Sequence, residues 1–350
     1  MSLDLALLEK ICQTPGAPGY EQKIRTLILK EIEGLVDHVE VDNMGNIYAL
    51  KKGKSDKKVM IGAHMDEIGF IVTHIDDNGF IRFHTLGGFD PKTLTAQRVI
   101  IHGEEEDVMG VMAAKPIHVM TQEERNKNPK ITDYFIDTGR PKEAVEALVK
   151  VGDPITRERS FIQMGDCVNS KSLDNRLAVY ILIETLKSLK NKVVPYDIYG
   201  VFTVQEEVGI RGANVSALKI RPDFGFGLDT TIAYDLPGAS AHEKITSLGA
   251  GTAIKIMDAS TICDYRMVNF MKQTADKNNI KWQPEILTAG GTDTAGIQRM
   301  TDGGSIAGAI SIPTRHLHQV IEMAHQDDIQ GSIDLLLACV KSIDTFDWSY

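Results

Sequence analysis

The chain has 350 residues, of which 43% are hydrophobic and 25% are charged, and its formal net charge at pH 7 is −10. These values are ordinary for a soluble globular protein with one large domain and a smaller one, and they argue against nucleic acid or an anionic membrane as the main partner. The four cysteines show no metal-finger spacing, no leader peptide is evident at the amino terminus, and no apolar run reaches the about 18 residues of a membrane span, so we expect a cytoplasmic protein.

The first 67 residues predict two amphipathic helices, a hairpin and a buried strand. Apolar residues recur at helical spacing over residues 3–13, and again over residues 21–35 after the breaker PGAPGY. The stretch VEVDNMGNIYALKK predicts a hairpin with its turn at NMGN. KVMIGAHMDE, an apolar run that ends in polar residues, is typical of a central parallel strand with a site at its carboxyl end.

Between residues 68 and 166 the pattern becomes rich in β-structure. FIVTHIDDNGFIRFHTLGG and RVIIHGEEEDVMGVMAAK each predict a hairpin, and PKEAVEALVK predicts one short helix. A block of this kind between two α/β stretches indicates an inserted small domain, which we expect to serve dimerisation or higher assembly.

From about residue 170 helices and strands alternate again. LDNRLAVYILIETLKSL, DYRMVNFMKQTADKNN and DIQGSIDLLLACVKSI predict helices, and four apolar runs between them predict strands. The expected fold is therefore α/β, with a central mixed, mostly parallel sheet flanked by helices. Residues 1–67 and 167–350 form one discontinuous domain in this prediction, and residues 68–166 form the insert.

Acidic residues and histidines follow directly on several of the predicted strands. The carboxyl ends of parallel strands meet in one crevice, so residues far apart in the chain can form one site there. A further acid, Asp174, stands just before a predicted helix. The residues at the strand ends are His64, Asp66, Glu67, Glu206, Glu207, Asp229, His316 and His318.

Two histidines with several carboxylates suit divalent metals of borderline hardness, such as zinc, cobalt or manganese. About five carboxylates would overcharge a single dication, whereas two ions at about 3.5–4 Å, bridged by one carboxylate, would balance them and activate a shared water. On a strand, residues i and i+2 face the same side, so Asp66 can reach and orient the imidazole of His64.

Each residue also has an ordinary structural interpretation. A single acid after a strand is commonly a turn residue or a helix N-cap, which is the alternative for Asp174, and Glu206 with Glu207 could form a solvated strand end. The joint occurrence of these residues at the ends of apolar strands favours the metal site. The Gly-rich stretch GGTDTAG predicts either a turn or a wall of the substrate pocket, with Thr292 and Asp293 as its candidate contacts.

Seven motifs in the same order resemble the dinuclear metallo-aminopeptidases of the glutamyl aminopeptidase and tetrahedral (TET) aminopeptidase family. They cover essentially the whole chain, and although each is weak alone, seven in order are specific. The motifs are AHMDEIGF, LGGFDP, KSLDNR, VQEEVGIRGA, GLDTT, GGTDTAG and PTRHLHQ.

The resemblance implies a zinc-peptidase-like fold and a role for each site residue. His64, Asp174 and Asp229 would bind one divalent ion, for which we expect zinc or cobalt, with manganese also possible. Asp174 would bridge to a second ion held by Glu207 and His318. Glu206 would be the general base, Asp66 would orient His64, and the peptide bond Asp174–Asn175 would be cis.

This chain departs from the family pattern in two places. This chain has His316 where the family often has an aromatic residue, so His316 and His318 are both candidates for one ligand position. Strand periodicity does not distinguish them, because both would face the same side of a strand. The family's Arg-x-x-His pattern, counted from Arg315, selects His318. The segment between GDCV and KSLD is also shorter than the usual loop. The family further implies that the insert is PDZ-like and that dimers assemble into a hollow tetrahedral dodecamer, a homo-oligomer.

The sequence therefore predicts an aminopeptidase that removes N-terminal residues from peptides with a two-metal-activated water. In this mechanism Glu206 takes the proton from the water and passes it to the leaving amine. One alternative is a metal-independent glycoside hydrolase with paired carboxylates, which leaves the histidines unexplained. The other is a non-catalytic peptide-binding assembly protein, against which the complete set of ligands and base argues.

Overall fold

The computed structural model describes residues 3–350, and helices and strands occur along the whole of that range. The helices are α1 (Leu5–Gln13), α2 (Gln22–Glu31), α3 (Gln122–Asn126), α4 (Lys142–Leu148), α5 (Leu173–Leu189), α6 (Arg211–Ile220), α7 (Tyr265–Lys277), α8 (Asp293–Arg299) and α9 (Gln326–Ser342). The strands are β1 (His38–Val41), β2 (Ile47–Lys51), β3 (Ser55–His64), β4 (Gly69–Ile75), β5 (Ile81–Leu86), β6 (Gln97–His102), β7 (Asp107–Ala114), β8 (Tyr134–Asp137), β9 (Pro154–Arg157), β10 (Ile162–Met164), β11 (Cys167–Ser170), β12 (Tyr196–Thr203), β13 (Phe224–Ile232), β14 (Thr252–Met257), β15 (Trp282–Ile286), β16 (Ile306–Arg315) and β17 (Glu322–His325).

The larger sheet runs in the order β1-β2-β12-β3-β13-β16-β17-β11-β10, with β14 paired to β16 and β15 to β14. Its centre, β12-β3-β13-β16, is parallel, because the helices α5, α6 and α8 return the chain to the same edge before β12, β13 and β16. The flanking strands are joined mostly as antiparallel pairs. The predicted α/β fold with a mixed sheet is confirmed, whereas the expectation of mostly parallel strands holds only for the centre.

Helices cover both faces of this sheet, and the alternation along β3 shows how. Val59, Ile61 and Ala63 point into the larger core, which includes α1, α2 and α5. Met60 points to the other face, into a smaller core with residues of α6 and α8. Gly62 also faces α8, where an added Cβ would lie 3.0 Å from Ile297 Cδ1, so glycine permits the close approach of this helix.

The segment between β3 and β10 forms a closed barrel, β4-β5-β8-β7-β6-β9, around its own apolar core. Both predicted hairpins are present, as β4–β5 and β6–β7, and the predicted short helix is α4. The barrel strands lie between Gly69 and Arg157, while β10, within the predicted insert of 68–166, pairs with β11 of the larger sheet. The division of the chain into two domains, and the PDZ-like character of the insert, stay predictions.

None of the helices within residues 3–350 is long and apolar enough to cross a membrane.

Candidate metal centre

The carboxyl ends of the four central parallel strands open into a cavity of about 560 Å³. β3 ends at His64, β12 ends just before Glu206 and Glu207, and Asp229 lies near the end of β13. The cavity is lined by six of the predicted site residues, His64, Asp174, Glu206, Glu207, Asp229 and His318. The topology thus brings together residues that lie as far apart in the chain as His64 and His318.

Asp174 lies between the two histidines of the cavity. Its Oδ1 is 3.3 Å from Nε2 of His64, and its Oδ2 is 3.3 Å from Nε2 of His318. Ligand atoms of His64, Asp174 and Glu207 all lie within 4.8 Å of one another. Each oxygen of one carboxylate therefore faces a different imidazole, which is the arrangement that a bridging ligand needs.

The backbone at Asp174 is not that of a helix N-cap. Ser172 occupies the N-cap position of α5, and Asp174 follows it with a φ of −78° and a ψ of 108°, outside the helical range. The peptide bond Asp174–Asn175 is cis, as the resemblance implied. The Asp174 N–H donates to Oε2 of Glu322 at 3.0 Å, so its backbone is held by a side chain and not by helix hydrogen bonds.

The adjacent glutamates point at different histidines. Oε2 of Glu206 is 3.8 Å from Nε2 of His64, whereas Oε2 of Glu207 is 3.6 Å from Nε2 of His318. Their backbone N–H groups both donate to the carboxylate of Asp66, each at 3.1 Å. Asp66 thus fixes the chain at the point where β12 ends and the two side chains diverge.

His64 presents Nε2 to the carboxylates because its other nitrogen is occupied. Nδ1 donates to the backbone carbonyl of Asp66 at 3.1 Å and is 3.4 Å from the Asp66 carboxylate. The strand ends at His64, so the predicted face-sharing along a strand does not extend to Asp66. The turn after the strand brings Asp66 back beside the ring.

Burial raises the pKa of three carboxyl groups in the cavity. The pKa of Glu207 rises to about 7, and the pKa values of Glu206 and Asp229 rise well above their ordinary range, because desolvation and the neighbouring carboxylates disfavour the charged form. Asp174 behaves in the opposite way. Its burial would raise the pKa, but the adjacent imidazoles of His318 and His64 outweigh that effect and hold the pKa below its usual range.

The same carboxylates raise the pKa of both histidines. Burial would lower the pKa of His318, but Asp174 and Glu207 outweigh it and raise the value to about 10. The pKa of His64 is likewise raised well above its ordinary value, against its burial, by Asp174 and Asp66. The crevice therefore strongly favours positive charge.

The donor set fits divalent ions. Imidazole nitrogens and carboxylate oxygens are suitable ligands for zinc, cobalt or manganese. Asp174 Oδ1 and Glu207 Oε1 are buried without a hydrogen-bond partner within residues 3–350. Unpaired buried carboxylate oxygens are costly, and cations placed among them would satisfy them.

Of the two competing histidines, the structure places His318 at the cavity. β16 ends at Arg315, so His316 and His318 follow the strand, with φ values of 61° and 62°. The argument that both would face the same side of a strand was therefore wrong, because the strand does not extend that far. His316 does not line the cavity, whereas His318 does.

The Gly-rich stretch GGTDTAG is the start of a helix. Thr292 is the N-cap residue of α8 and lines the cavity, with its hydroxyl 3.3 Å from Asp258 Oδ2. Asp293 lies behind the cavity, buried beside Thr203, whose hydroxyl donates to it. Of the two predicted substrate contacts, only Thr292 is placed at the surface of the cavity.

Two groups of buried charges lie near the site, and the sequence indicated only one of their members, Glu67. It was expected with the strand-end residues of the site, but it does not line the cavity and instead pairs with Lys171 at 2.7 Å and with Arg176 at 3.5 Å. Lys255, in β14, lines the cavity and bonds Glu285 at 2.8 Å and Asp258 at 3.2 Å. A lysine inside the apolar run TAIKIM was the available signal, since a central strand does not bury such a residue without a partner.

Glu322, another residue that the sequence did not indicate, joins two parts of the site. Its Oε1 accepts the His318 N–H at 2.9 Å, and its Oε2 accepts the Asp174 N–H. Burial and the nearby Asp174 charge raise the pKa of Glu322 to about 8. Its strand, β17, is only four residues long and is defined by pairing with β16 and β11, so no local pattern marks it.

Comparison with known proteins identifies one matching family model and several similar chains. The family model of the M42 glutamyl aminopeptidases matches residues 45–335. The lysyl aminopeptidase of Pyrococcus furiosus is 31% identical over 356 residues, covering 99% of each chain. The structure of the Pyrococcus horikoshii TET1 peptidase, which can assemble into a tetrahedron or a large octahedral shell, is 32% identical with a TM-score of 0.87, covering 96% of this chain and 98% of that one.

One similar structure is described as a glycoside hydrolase and not as a peptidase. A Thermotoga maritima protein described as an endoglucanase is 29% identical with a TM-score of 0.79, covering 96% of each chain. It bears on the glycoside-hydrolase alternative.

Proposed function

This chain belongs to the M42 glutamyl aminopeptidase family, and from that membership we propose that it cleaves N-terminal residues from peptides with two divalent metal ions. The observation that carries the proposal is the position of Asp174, whose two oxygens each lie 3.3 Å from a different histidine. An aminopeptidase activity follows from the family. The number of ions and the roles of individual residues are our proposal.

Three residues would hold each ion, with Asp174 shared. His64, Asp174 and Asp229 would hold one, and Asp174, Glu207 and His318 the other, with zinc or cobalt the best suited and manganese possible. Bound there, the ions would lower the pKa of a water molecule and polarise the scissile carbonyl. Asp66 would act on this site by orienting His64 and by holding the backbone of both glutamates.

Glu206 is the residue best placed to move the proton. Its carboxylate faces the cavity near His64, and it makes no side-chain hydrogen bond to residues 3–350 that would fix it as a structural group. Burial raises its pKa well above the ordinary value, which brings a carboxylate closer to the range of an effective general base. Glu206 would take a proton from the attacking water and give it to the amine that leaves.

The remaining carboxylates would explain a preference for free amino termini. A substrate ammonium group carries a positive charge, and acids on the cavity wall that hold no ion in this proposal would compensate it. Thr292 lies on the wall of the same cavity and is proposed to contact the first side chain of the substrate.

The glycoside-hydrolase alternative is not favoured, although one relative is described as an endoglucanase. That chemistry needs two carboxyl groups and gives no role to His64 or His318, which enclose Asp174. A non-catalytic assembly protein would not need Glu206 to remain free in the cavity beside a full set of ligands.

We also propose that the chain is a cytoplasmic homo-oligomer, with the barrel as its PDZ-like assembly module. The similarity to a peptidase that forms tetrahedral or octahedral shells supports assembly, and the four unpaired cysteines suit a reducing compartment. Native mass spectrometry should give a dodecamer, at twelve times the 38.6 kDa of one chain.

The activity is tested with a panel of peptides whose amino termini are either free or acetylated. The native protein should release single amino acids from the free peptides and none from the acetylated ones. Removal of metal by a chelator should abolish release, and zinc, cobalt or manganese should restore it. Release that survives chelation, or hydrolysis of a β-glucan by the stripped protein, would overturn the proposal.

A further inference from the structure

His318 is held in place by contacts at three points, two of which come from the barrel. Its ring Nδ1 donates to the carbonyl of Gly88 at 2.8 Å. Its own carbonyl accepts a hydrogen bond from Arg157 Nη1 at 2.9 Å, and its N–H donates to Glu322 at 2.9 Å. Gly88 follows β5 and Arg157 ends β9, so both belong to the barrel.

The contact with Gly88 determines which ring nitrogen of His318 faces the carboxylates. A carbonyl can only accept, so Nδ1 carries the hydrogen in this bond and Nε2 is left towards Asp174 and Glu207. Histidines that bind metals through one nitrogen are commonly oriented by such a bond at the other. In this protein the bond comes from the inserted segment and not from the sheet that carries His318.

The backbone of His318 also needs support. Its φ of 62° lies in the left-handed region, which costs a non-glycine residue roughly 1–2 kcal/mol. The hydrogen bonds to both its N–H and its carbonyl hold this conformation, and Arg157 supplies the second. Loss of the bond from Arg157 would therefore remove one of the contacts that oppose relaxation of the loop.

Arg157 is a buried cation near the charges of Glu322, Glu207 and Asp174. It is 2% exposed, and the single hydrogen bond that its side chain makes within residues 3–350 goes to His318. Nε and Nη2 are buried without partners, while the guanidinium lies 5.3 Å from the ring centre of Phe89, another residue that lines the cavity. A buried arginine costs several kcal/mol of desolvation, so an apolar residue would serve a purely structural role at lower cost.

We infer that the barrel completes the metal centre, because Arg157 and the Gly88 carbonyl position the ligand His318. The inference rests on the proposed two-metal function. Dependence on the barrel would make the two ion positions differ in affinity when the barrel contact is removed. The position held by His64 and Asp229 is built on strands of the larger sheet, whereas the position held by Glu207 and His318 depends on a barrel contact.

The test is a calorimetric titration of metal-stripped protein with Co²⁺, in the native chain and in Arg157→Met and Arg157→Lys. We expect Arg157→Met to bind one ion as the native chain does and the second ion about 10–100-fold more weakly. Arg157→Lys keeps a donor that can reach a carbonyl, so it should recover part of the lost affinity. The recovery distinguishes positioning from a general loss of packing.

Arg82→Met is the matched control. Arg82 also lies in the barrel and also donates to backbone carbonyls, those of Thr132 and Tyr134, but both belong to the barrel itself. This variant should bind two ions like the native chain. Circular dichroism and the melting temperature report whether each variant is folded, and if Arg157→Met does not fold, Arg157→Lys should still show the selective loss.

The inference would be overturned if a folded Arg157 variant bound both ions with the affinities of the native chain, or if it lost affinity equally at both positions. Failure of the proposed function would look different, because the native chain itself would then bind fewer than two ions or turn over peptide without them.

Discussion

At the scale of single residues, Glu206 and Glu207 show how two adjacent side chains acquire different chemistry. β12 ends at Thr203, and Gln205 has a φ of 55°, so the chain leaves the sheet just before the pair. The backbone N–H groups of both glutamates are fixed by Asp66, and their carboxylates point at different histidines. We propose Glu207 as a metal ligand and Glu206 as the proton carrier.

Replacing each glutamate by glutamine should separate these two roles. Glu206→Gln removes the proton acceptor but keeps the shape, so peptide turnover should fall by about 10²–10⁴-fold while the metal content per chain stays at the native value. Glu207→Gln removes a charged ligand and should lower the metal content itself. Kinetic assays and elemental analysis by mass spectrometry measure both quantities. Unchanged turnover in Glu206→Gln would contradict its assignment as the base.

A second feature at this scale is the buried ion group around Lys255. Lys255, Glu285 and Asp258 are each at most 2% exposed, and the lysine lies between the two carboxylates. Burial would lower the pKa of Lys255, but Glu285 and Asp258 outweigh it and raise the pKa, so the lysine stays charged. Its charge therefore compensates two buried acids.

Lys255→Met should lower the free energy of unfolding by about 3–5 kcal/mol, because it leaves buried carboxylates without a cation. Urea denaturation measures the loss, and Lys192→Met, which removes an exposed lysine, is the control with little expected effect. Adding Glu285→Gln to Lys255→Met should recover part of the stability. A Lys255 variant as stable as the native chain would show that the ion group does not contribute.

The sequence located most of the candidate site because apolar strands that end in acids and histidines leave a local signal. It did not locate the groups that hold those residues from a distance. Glu322 and Arg157 act through hydrogen bonds to the backbone of residues that are remote in the chain, Glu322 to Asp174 and Arg157 to His318. His318 itself was chosen over His316 by the family pattern, since strand periodicity does not apply beyond Arg315.

At the scale of secondary-structure elements, the ends of the central strands are anchored by charged pairs. Arg315 is the last residue of β16, three positions before His318, and it forms two bonds with Asp235, at 2.6 and 2.7 Å. Asp235 also accepts the N–H of Leu248 at 3.0 Å. The pair therefore ties the loop after β13 to the end of β16.

Asp235→Asn should destabilise the protein by about 1.5–3 kcal/mol, and the effect should depend on pH. Burial would raise the pKa of Asp235, but Arg315 outweighs it and holds the pKa below its ordinary value of 3.8. A carboxyl group of this kind stabilises the fold fully above its unfolded pKa and loses that contribution as the pH falls through its folded pKa.

The difference between Asp235→Asn and the native chain should thus be constant from about pH 5 to 8 and narrow as the pH falls below about 4. Urea denaturation at a series of pH values measures it. A difference that is the same at pH 3 as at pH 7 would contradict the ion pair as its source.

The elements that the sequence predicted are those with a long periodic pattern. The long helices α5, α7 and α9 and the four central strands were all recognised from the spacing of their apolar residues. Several of the elements that were missed are short. α8 begins inside a Gly-rich stretch, and β17 has four residues that become a strand only through pairing with two distant strands.

At the scale of the whole molecule, the larger sheet and the barrel meet at the candidate site. The larger sheet supplies most of the proposed ligands, and the barrel supplies Gly88, Phe89 and Asp90 to the wall of the same cavity. Composition and hairpin patterns predicted that a β-rich segment is inserted. They could not predict that this segment touches His318, because contacts between two separately packed units leave no periodic signal in either of them.

In the proposed function, peptide turnover by this chain requires two metal ions at one shared carboxylate. The most direct test adds zinc or cobalt in known amounts to the stripped native chain and follows hydrolysis of a peptide with a free amino terminus. Turnover should stay low up to one equivalent per chain and reach its full value at two. Full turnover without metal, or at one equivalent, would contradict the requirement for two metal ions.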